Sequence, residues 1–295
     1  MDRTYKHSYK IFYISLPTVQ SQLSPIILSF GATDPIGAIG VHADLATFAS
    51  MGCHGLAIIT SILVGDTTQV DDTHPLEAEL VSDQARAVLE DVQVAACKVG
   101  LVGSVENVTV IAEIVSDYPE LHLVLEPFNS SIPDLEAEKE DLLIAVCELL
   151  IPQTTVLVIS AIDLSILSET WKEADAQDED NDTVADAMIL IESGCEYVLV
   201  TRTQGKENTI ANILIDSTGI IRTDEWQQIQ GSHLGASSTL SAAIAAMLAN
   251  GLDVPEAVME AQEFTFASIT HAQRLGMGKL IPDRYFWTKE TQVSE

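Results

Sequence analysis

Gly31, Gly37 and Gly40 punctuate a stretch that also holds Asp34, His42 and Asp44, directly after an apolar run that ends at Phe30. A strand that breaks at small residues and resumes as a helix near Val41 leaves backbone amides and a helix N-terminus facing outward, which suits anions and polar small molecules. Glycine in such turns also serves backbone geometry alone. A second stretch of this kind, Gly235-Ala236-Ser237-Ser238-Thr239, opens a helical pattern and adds hydroxyls to the amides. It offers the same chemistry, although ordinary serine capping of a helix gives the same pattern. Ser160-x-x-Asp163 sets a hydroxyl and a carboxylate at another helix start.

Short β-rich apolar runs alternate with amphipathic segments along the chain, the pattern of βαβ units around a mainly parallel sheet with helices on both faces. The spacing predicts strands at 26–30, 56–60, 96–99, 121–125, 155–160 and 197–202. Helices are predicted at 41–51, 78–91, 106–117, 136–150, 184–193, 238–249 and 255–275. Gly52, Gly194 and Gly251 each fall just past a helical run, where a left-handed residue ends a helix. Residues 212–216 and 220–222, joined by Ser217-Thr218-Gly219, read as a β-hairpin. No internal repeat and no second domain boundary is apparent, so the expected organisation is an N-terminal extension (1–25) and one domain (26–290).

Only 14 Lys and Arg face 44 Asp and Glu, giving a formal net charge of −30. Such a field repels nucleic acid and anionic membranes, which excludes both as primary partners. The acidic run from Glu173 to Asp182 lacks the glycine and terminal glutamate spacing of a calcium loop and reads as solvated. Cys53, Cys97, Cys147 and Cys195 are widely spaced in apolar contexts, so free buried thiols in a reducing cytoplasm are expected, without a disulfide framework or zinc site. The apolar run from Ile11 to Leu16 is too short to span a bilayer. The segment around it reads as an arm or an added edge strand.

The stretch Thr33-Asp34-Pro35-x-Gly37-x-x-Gly40-x-x-Ala43-Asp44-Leu45-x-Thr47-Phe48, with Gly52, Gly55 and Ile59-Thr60 after it, resembles the N-terminal signature of the hydroxymethylpyrimidine/phosphomethylpyrimidine kinases of thiamine biosynthesis. Gly235-Ala236-Ser237-Ser238-Thr239-Leu240-Ser241 is similar to that family's C-terminal Gly-Thr-Gly-Cys-Thr-Leu-Ser motif. Weaker similarities lie at Lys98-Val99-Gly100-Leu101, from Leu123 to Glu126, and from Gly194 to Leu199. The resemblance implies a ribokinase-like three-layer α/β/α fold, ATP with Mg²⁺ as cofactors, a small-molecule substrate and a homodimer. It implies substrate contacts at Ala32, Asp44, Gly65, Leu101 and Phe128. Nucleotide contacts are implied at Gly235, Ala236, Ser237, Thr239, Thr201, Arg202 and Lys279. It places a metal ligand at Asp163 and the catalytic position at Ser238.

Several of these positions depart from the family pattern. Ser238 stands where the family has a catalytic cysteine, and a serine hydroxyl is a poor base unless activated. His233 is near in sequence but reads as an ordinary loop residue. Ser237 replaces a glycine, Gly65 replaces the glutamine that contacts the pyrimidine, and Thr201 replaces the nucleotide-contacting lysine. The family's Asn-x-x-Glu becomes Ser160-x-x-Asp163. Phosphoryl transfer rests on positioning and charge neutralisation more than on covalent chemistry. The expected function is therefore a pyrimidine-alcohol kinase with reduced or altered activity. The alternatives are a degenerate homologue that binds a nucleotide or small molecule, and a kinase for a different alcohol.

Overall fold

The computed structural model describes residues 24–127, 139–169, 183–206 and 209–288. The extension up to residue 23, the acidic run from Glu173 to Asp182, and Phe128 lie outside the described residues. Among the described residues nine strands form one sheet in the order β3-β2-β1-β4-β5-β6-β7-β8-β9. They are β1 (Ile26–Thr33), β2 (His54–Gly65), β3 (Val70–Pro75), β4 (Ala96–Val99), β5 (His122–Leu125), β6 (Val156–Ser160), β7 (Tyr197–Gln204), β8 (Thr209–Asp216) and β9 (Gly219–Gln227). The run from β2 to β7 is parallel. The edges are antiparallel hairpins.

Alternation along each strand divides the interior into two cores. Leu28, Phe30, Cys97 and Val99 point to one face, where they meet α2 (Ala78–Leu89) and α3 (Val105–Ser116). Ile27, Ala96 and Val124 point to the other face. There α1 (Gly40–Ser50), α7 (Ala236–Ala249) and α8 (Val254–Thr270) pack on one another. The remaining helices, α4 (Lys139–Ala145), α5 (Ala161–Glu169) and α6 (Thr183–Glu192), belong to the first layer, with α4 running into a π-helical turn, Val146–Leu150. Helices on both faces of a mainly parallel sheet match the fold class expected from the sequence.

Most elements fall where the periodicity puts them, with three departures. Strand β3 was not expected, because Val70-Asp71-Asp72-Thr73-His74-Pro75 has no apolar alternation; among the described residues it pairs on one side only, as an edge strand. Helix α5 was expected only as a helix start at Ser160-x-x-Asp163. Helix α8 stops at Thr270 rather than 275, where the chain turns into an isolated bridge between Gln273 and Ile281. Gly52, Gly194 and Gly251 have φ of +75°, +121° and +91°, as helix-ending glycines should. The hairpin glycine, Gly219, has φ +110°.

β1 sends its chain through α1 to β2 on one side, whereas β4 lies on its other side. This reversal opens a crevice beyond the carboxyl ends of β1 and β4, the usual place for ligands in such sheets.

Candidate active site

Asp34 closes the turn after β1. Its carboxylate accepts the backbone N–H groups of Ala38 at 2.8 Å, Ile39 at 3.0 Å and Ile36 at 3.1 Å. Gly40 (φ +62°) must be glycine, because a Cβ there would stand 2.0 Å from the Ala32 carbonyl oxygen. Gly235 (φ +93°) is constrained more tightly still, with its would-be Cβ 1.8 Å from the Ala38 carbonyl oxygen. The two glycine-rich stretches therefore touch, on one rim of the sheet.

Gly235 is the N-cap of α7, and among the described residues no side chain caps it. No acidic residue occupies the first turn either, so the leading amides suit an anion. Ser238 and Thr239 are buried in that turn and Ser237 is exposed. Among the described residues Arg202 is the one non-glycine with positive φ (+60°), so Ser237 carries no such strain.

Beneath the rim lies a buried ionic cluster. Lys98 Nζ donates to Asp44 Oδ1 at 2.6 Å and sits 3.3 Å from Glu126 Oε2. Ser29 Oγ donates to Asp44 Oδ2 at 2.6 Å, and Ser241 Oγ to Glu126 Oε2 at 2.9 Å. Burial alone would lower the Lys98 pKa, but the two carboxylates reverse that and the net shift is upward. Glu126 Oε1 is buried without a hydrogen-bond partner among the described residues, which leaves an acceptor for an ordered water or a cation.

Arg284, 5% exposed, crosses between the two stretches. It donates from Nη2 to the Ala38 carbonyl at 2.7 Å and from Nε to Thr239 Oγ1 at 3.0 Å. Longer bonds reach the carbonyls of Gly37 at 3.3 Å and Gly235 at 3.4 Å. Desolvation pulls its pKa down to about 10, against the attraction of nearby Asp44 and Asp34.

The structure thus brings Ala32, Asp44, Gly235, Ala236 and Thr239 to one place. Leu101 joins Ala32, Ala38 and Ile39 in a small apolar cluster, and its carbonyl accepts Thr60 Oγ1 at 2.6 Å. Gly65 ends β2 at a bulge opposite Val70, and its φ is not among the positive ones. It is tight for a steric reason: a Cβ would lie 2.5 Å from the Gln69 carbonyl oxygen. Asp163 is occupied with its own helix start, accepting Ser160 Oγ at 2.6 Å. Thr201 pairs in register with Ser160, and the Arg202 N–H donates to Asn212 Oδ1 at 3.1 Å, so these nucleotide and metal candidates share the ends of β6 and β7. Lys279 enters through its backbone, its N–H donating to the Thr67 carbonyl at 2.7 Å. His233 forms an isolated bridge with Leu280, and burial lowers its pKa.

Sequence reasoning did not assign roles to Glu126, Arg284, Ser29 or Ser241, and it noted Lys98 only as part of a weak similarity. A signal existed for two of them. Lys98 is a lone cation inside Ala96-Cys97-Lys98-Val99, and Glu126 directly follows an apolar strand; charges so placed are almost never buried unless paired.

A glycine-rich loop and a helix start meet over the carboxyl ends of parallel strands, an anion-receptive arrangement on a ribokinase-like α/β fold. Comparison with known proteins gives the particular family: a family model described as "Phosphomethylpyrimidine kinase" matches residues 34–283. The chain belongs to the phosphomethylpyrimidine kinase family. It is 30% identical over 257 residues to a hydroxymethylpyrimidine/phosphomethylpyrimidine kinase from Rhizobium meliloti, covering 87% of this chain and 95% of that one. The counterpart from Haemophilus influenzae is 26% identical, covering 85% and 93%. In structure, the chain is similar to a pyridoxal kinase from Bacillus subtilis in an ADP complex (TM-score 0.78, 24% identity, 88% and 97% covered). It is also similar to a phosphomethylpyrimidine kinase from Clostridium difficile (TM-score 0.66, 23% identity, 83% and 100% covered).

Proposed function

We propose that this chain transfers the γ-phosphoryl group of ATP to a hydroxymethylpyrimidine or its phosphate, the substrates for which its relatives are named, within residues 26–290. The observation that carries this reading is the contact of Gly235 with the Ala38 carbonyl, which sets an uncapped helix start against the substrate-side loop. Amides of Ala236, Ser237 and Ser238 would hold the transferred group, with the helix dipole favouring its charge. The Thr239 N–H already donates to the Gly235 carbonyl at 3.0 Å. Asp44, fixed by Ser29 and Lys98, would orient the alcohol from the opposite side, with Ala32 and Leu101 against the ring. Thr201 and Arg202 lie on the nucleotide side of this scheme, whereas the Lys279 backbone is held at the Thr67 turn between β2 and β3.

Mg²⁺, when bound, neutralises phosphate charge. The unpartnered Glu126 oxygen and the Asp163 carboxylate are the oxygen donors that fit it. Ser238 occupies the base position without the acidity of a thiol, so turnover is slow. The test is ADP release with hydroxymethylpyrimidine and its phosphate as separate substrates. ADP release no faster than without substrate for both would overturn the reading.

A second reading, a kinase of the same scaffold for a different alcohol, is favoured by one observation. The backbone around Gly65 leaves no room for the family's glutamine side chain. A panel of heteroaromatic alcohols lacking the pyrimidine's polar edge distinguishes the two.

The working form is a cytoplasmic homodimer. Burial of all four thiols supports the first part. Ile62 and Val64, alternate residues of β2 that stay about half exposed, offer an apolar stripe for a second copy. Sedimentation of wild type and Ile62→Asp tests the dimer.

A further inference from the structure

The segment after α8 carries a side chain, Arg284, that neither the sequence pattern nor the family resemblance singles out. Asp283 and Arg284 are pinned through their backbone from two directions: the Asp283 N–H donates to the Ser268 carbonyl at 2.9 Å, and the Arg284 carbonyl accepts Ser50 Oγ at 2.8 Å. From that anchor the guanidinium reaches the Gly37 and Ala38 carbonyls on the substrate side and the Gly235 carbonyl and Thr239 hydroxyl on the phosphoryl side. The Ala38 and Ile39 N–H groups are already held by Asp34. The loop's peptides are thus gripped by their donors from Asp34 and by their acceptors from Arg284. Thr239 Oγ1 accepts from Arg284 while donating to the Gly235 carbonyl at 2.7 Å, which carries the grip into the first turn of α7.

We infer that Arg284 is a positioning residue for phosphoryl transfer, setting the separation between the loop that receives the alcohol and the helix start that receives the phosphoryl group. The inference rests on the kinase reading for its chemistry, but the clamp itself rests on geometry alone. The guanidinium is suited to it because its planar fork presents several fixed donors at once, whereas an ammonium is a compact point charge. Arg284 touches no reacting atom in this scheme. Its effect is on alignment, and a misplacement of about 1 Å costs about 100-fold in rate.

The test compares wild type, Arg284→Lys and Arg284→Ala in three measurements. The first is steady-state kinetics well below each protein's melting temperature. The expected result for Arg284→Lys is a kcat lower by about 100-fold with KM for ATP changed far less, because alignment rather than affinity is lost. An unchanged kcat in folded Arg284→Lys overturns the inference. The second is rescue: guanidinium at low millimolar concentration should raise kcat of Arg284→Ala, and sodium chloride at equal ionic strength should not. Equal effects of the two salts overturn it. The third is amide exchange in the protein without substrate, read at Ala38, Ile39 and Thr239. Faster exchange on both sides of the clamp supports the inference, and unchanged exchange in Arg284→Ala overturns it. If wild type phosphorylates no alcohol, the kinase reading fails on its own, and the exchange measurement still decides whether Arg284 couples the two stretches.

Discussion

Lys98 Nζ and Asp44 Oδ1 lie 2.6 Å apart with both side chains 1% exposed, joining β4 to α1 beneath the rim of the sheet. Glu126 approaches the same ammonium at 3.3 Å, so one cation serves two buried carboxylates. Removing it leaves both charges unpaired in a low-dielectric interior. Lys98→Met is expected to destabilise the fold by about 3–5 kcal/mol in urea unfolding, the range for breaking a buried pair. The pH dependence has a definite sign. Because folding raises the Lys98 pKa above its ordinary 10.5, the stability it contributes is fully present below pH 10.5 and is lost as pH rises through the folded value. The stability difference between wild type and Lys98→Met should narrow as pH rises through that folded value.

Replacing Ser238 by cysteine should raise phosphorylation of hydroxymethylpyrimidine, since general-base help is worth about 10²–10⁴ in rate. The family's glutamine cannot be restored in the same way. In Gly65→Gln the new Cβ meets the Gln69 carbonyl at 2.5 Å and Val70 Cα at 2.8 Å, so the hairpin must shift. A stability loss of about 1–3 kcal/mol with no gain in rate is expected. Turnover in the double variant above that of Ser238→Cys alone would contradict the steric account.

Gly235→Ala combines a left-handed φ of +93° with a Cβ 1.8 Å from the Ala38 carbonyl. The substitution should push the two stretches apart and abolish the rise in melting temperature that ATP with Mg²⁺ gives wild type. Gly251→Ala is the control. It shares a positive φ of +91° but has open space around its Cβ, so it should cost some stability and leave the ATP effect intact.

With so few cations on the chain, ATP binding should depend on Mg²⁺. Thermal shift by ATP is expected to vanish in excess chelator. An equal shift with and without chelator would mean that the protein neutralises the phosphates by itself.

Cys53, Cys97, Cys147 and Cys195 are all buried. Burial pushes the thiols of Cys97 and Cys195 up to about 12 and raises that of Cys53 as well. Thiolate is the reactive form, so labelling of the native protein at pH 8 should be slow, and four equivalents should react in denaturant without reductant.

The alternation of apolar runs was enough to place most strands and helices, because burial period and backbone geometry are written locally. The turn glycines Gly40 and Gly235 were legible for the same reason. β3 was not, since an edge strand facing water needs no apolar pattern. The extent of α5 was also hidden: Ser160-x-x-Asp163 marks its start, but Ala161-Ile162-Asp163-Leu164 carries no clear amphipathic period.

The sequence by itself determined the βαβ order, the two glycine-rich stretches and, through its motifs, the family. Only the tertiary structure decided which charges meet. Lys98 is 54 positions from Asp44, and Arg284 is 246 from Ala38, and neither separation leaves a trace in local propensity. Such pairs form because packing the helices on the sheet removes water from their charges, and a buried charge is tolerated only beside a partner. The same packing brings Ala38 against Gly235, closing a rim whose halves lie near opposite ends of the chain.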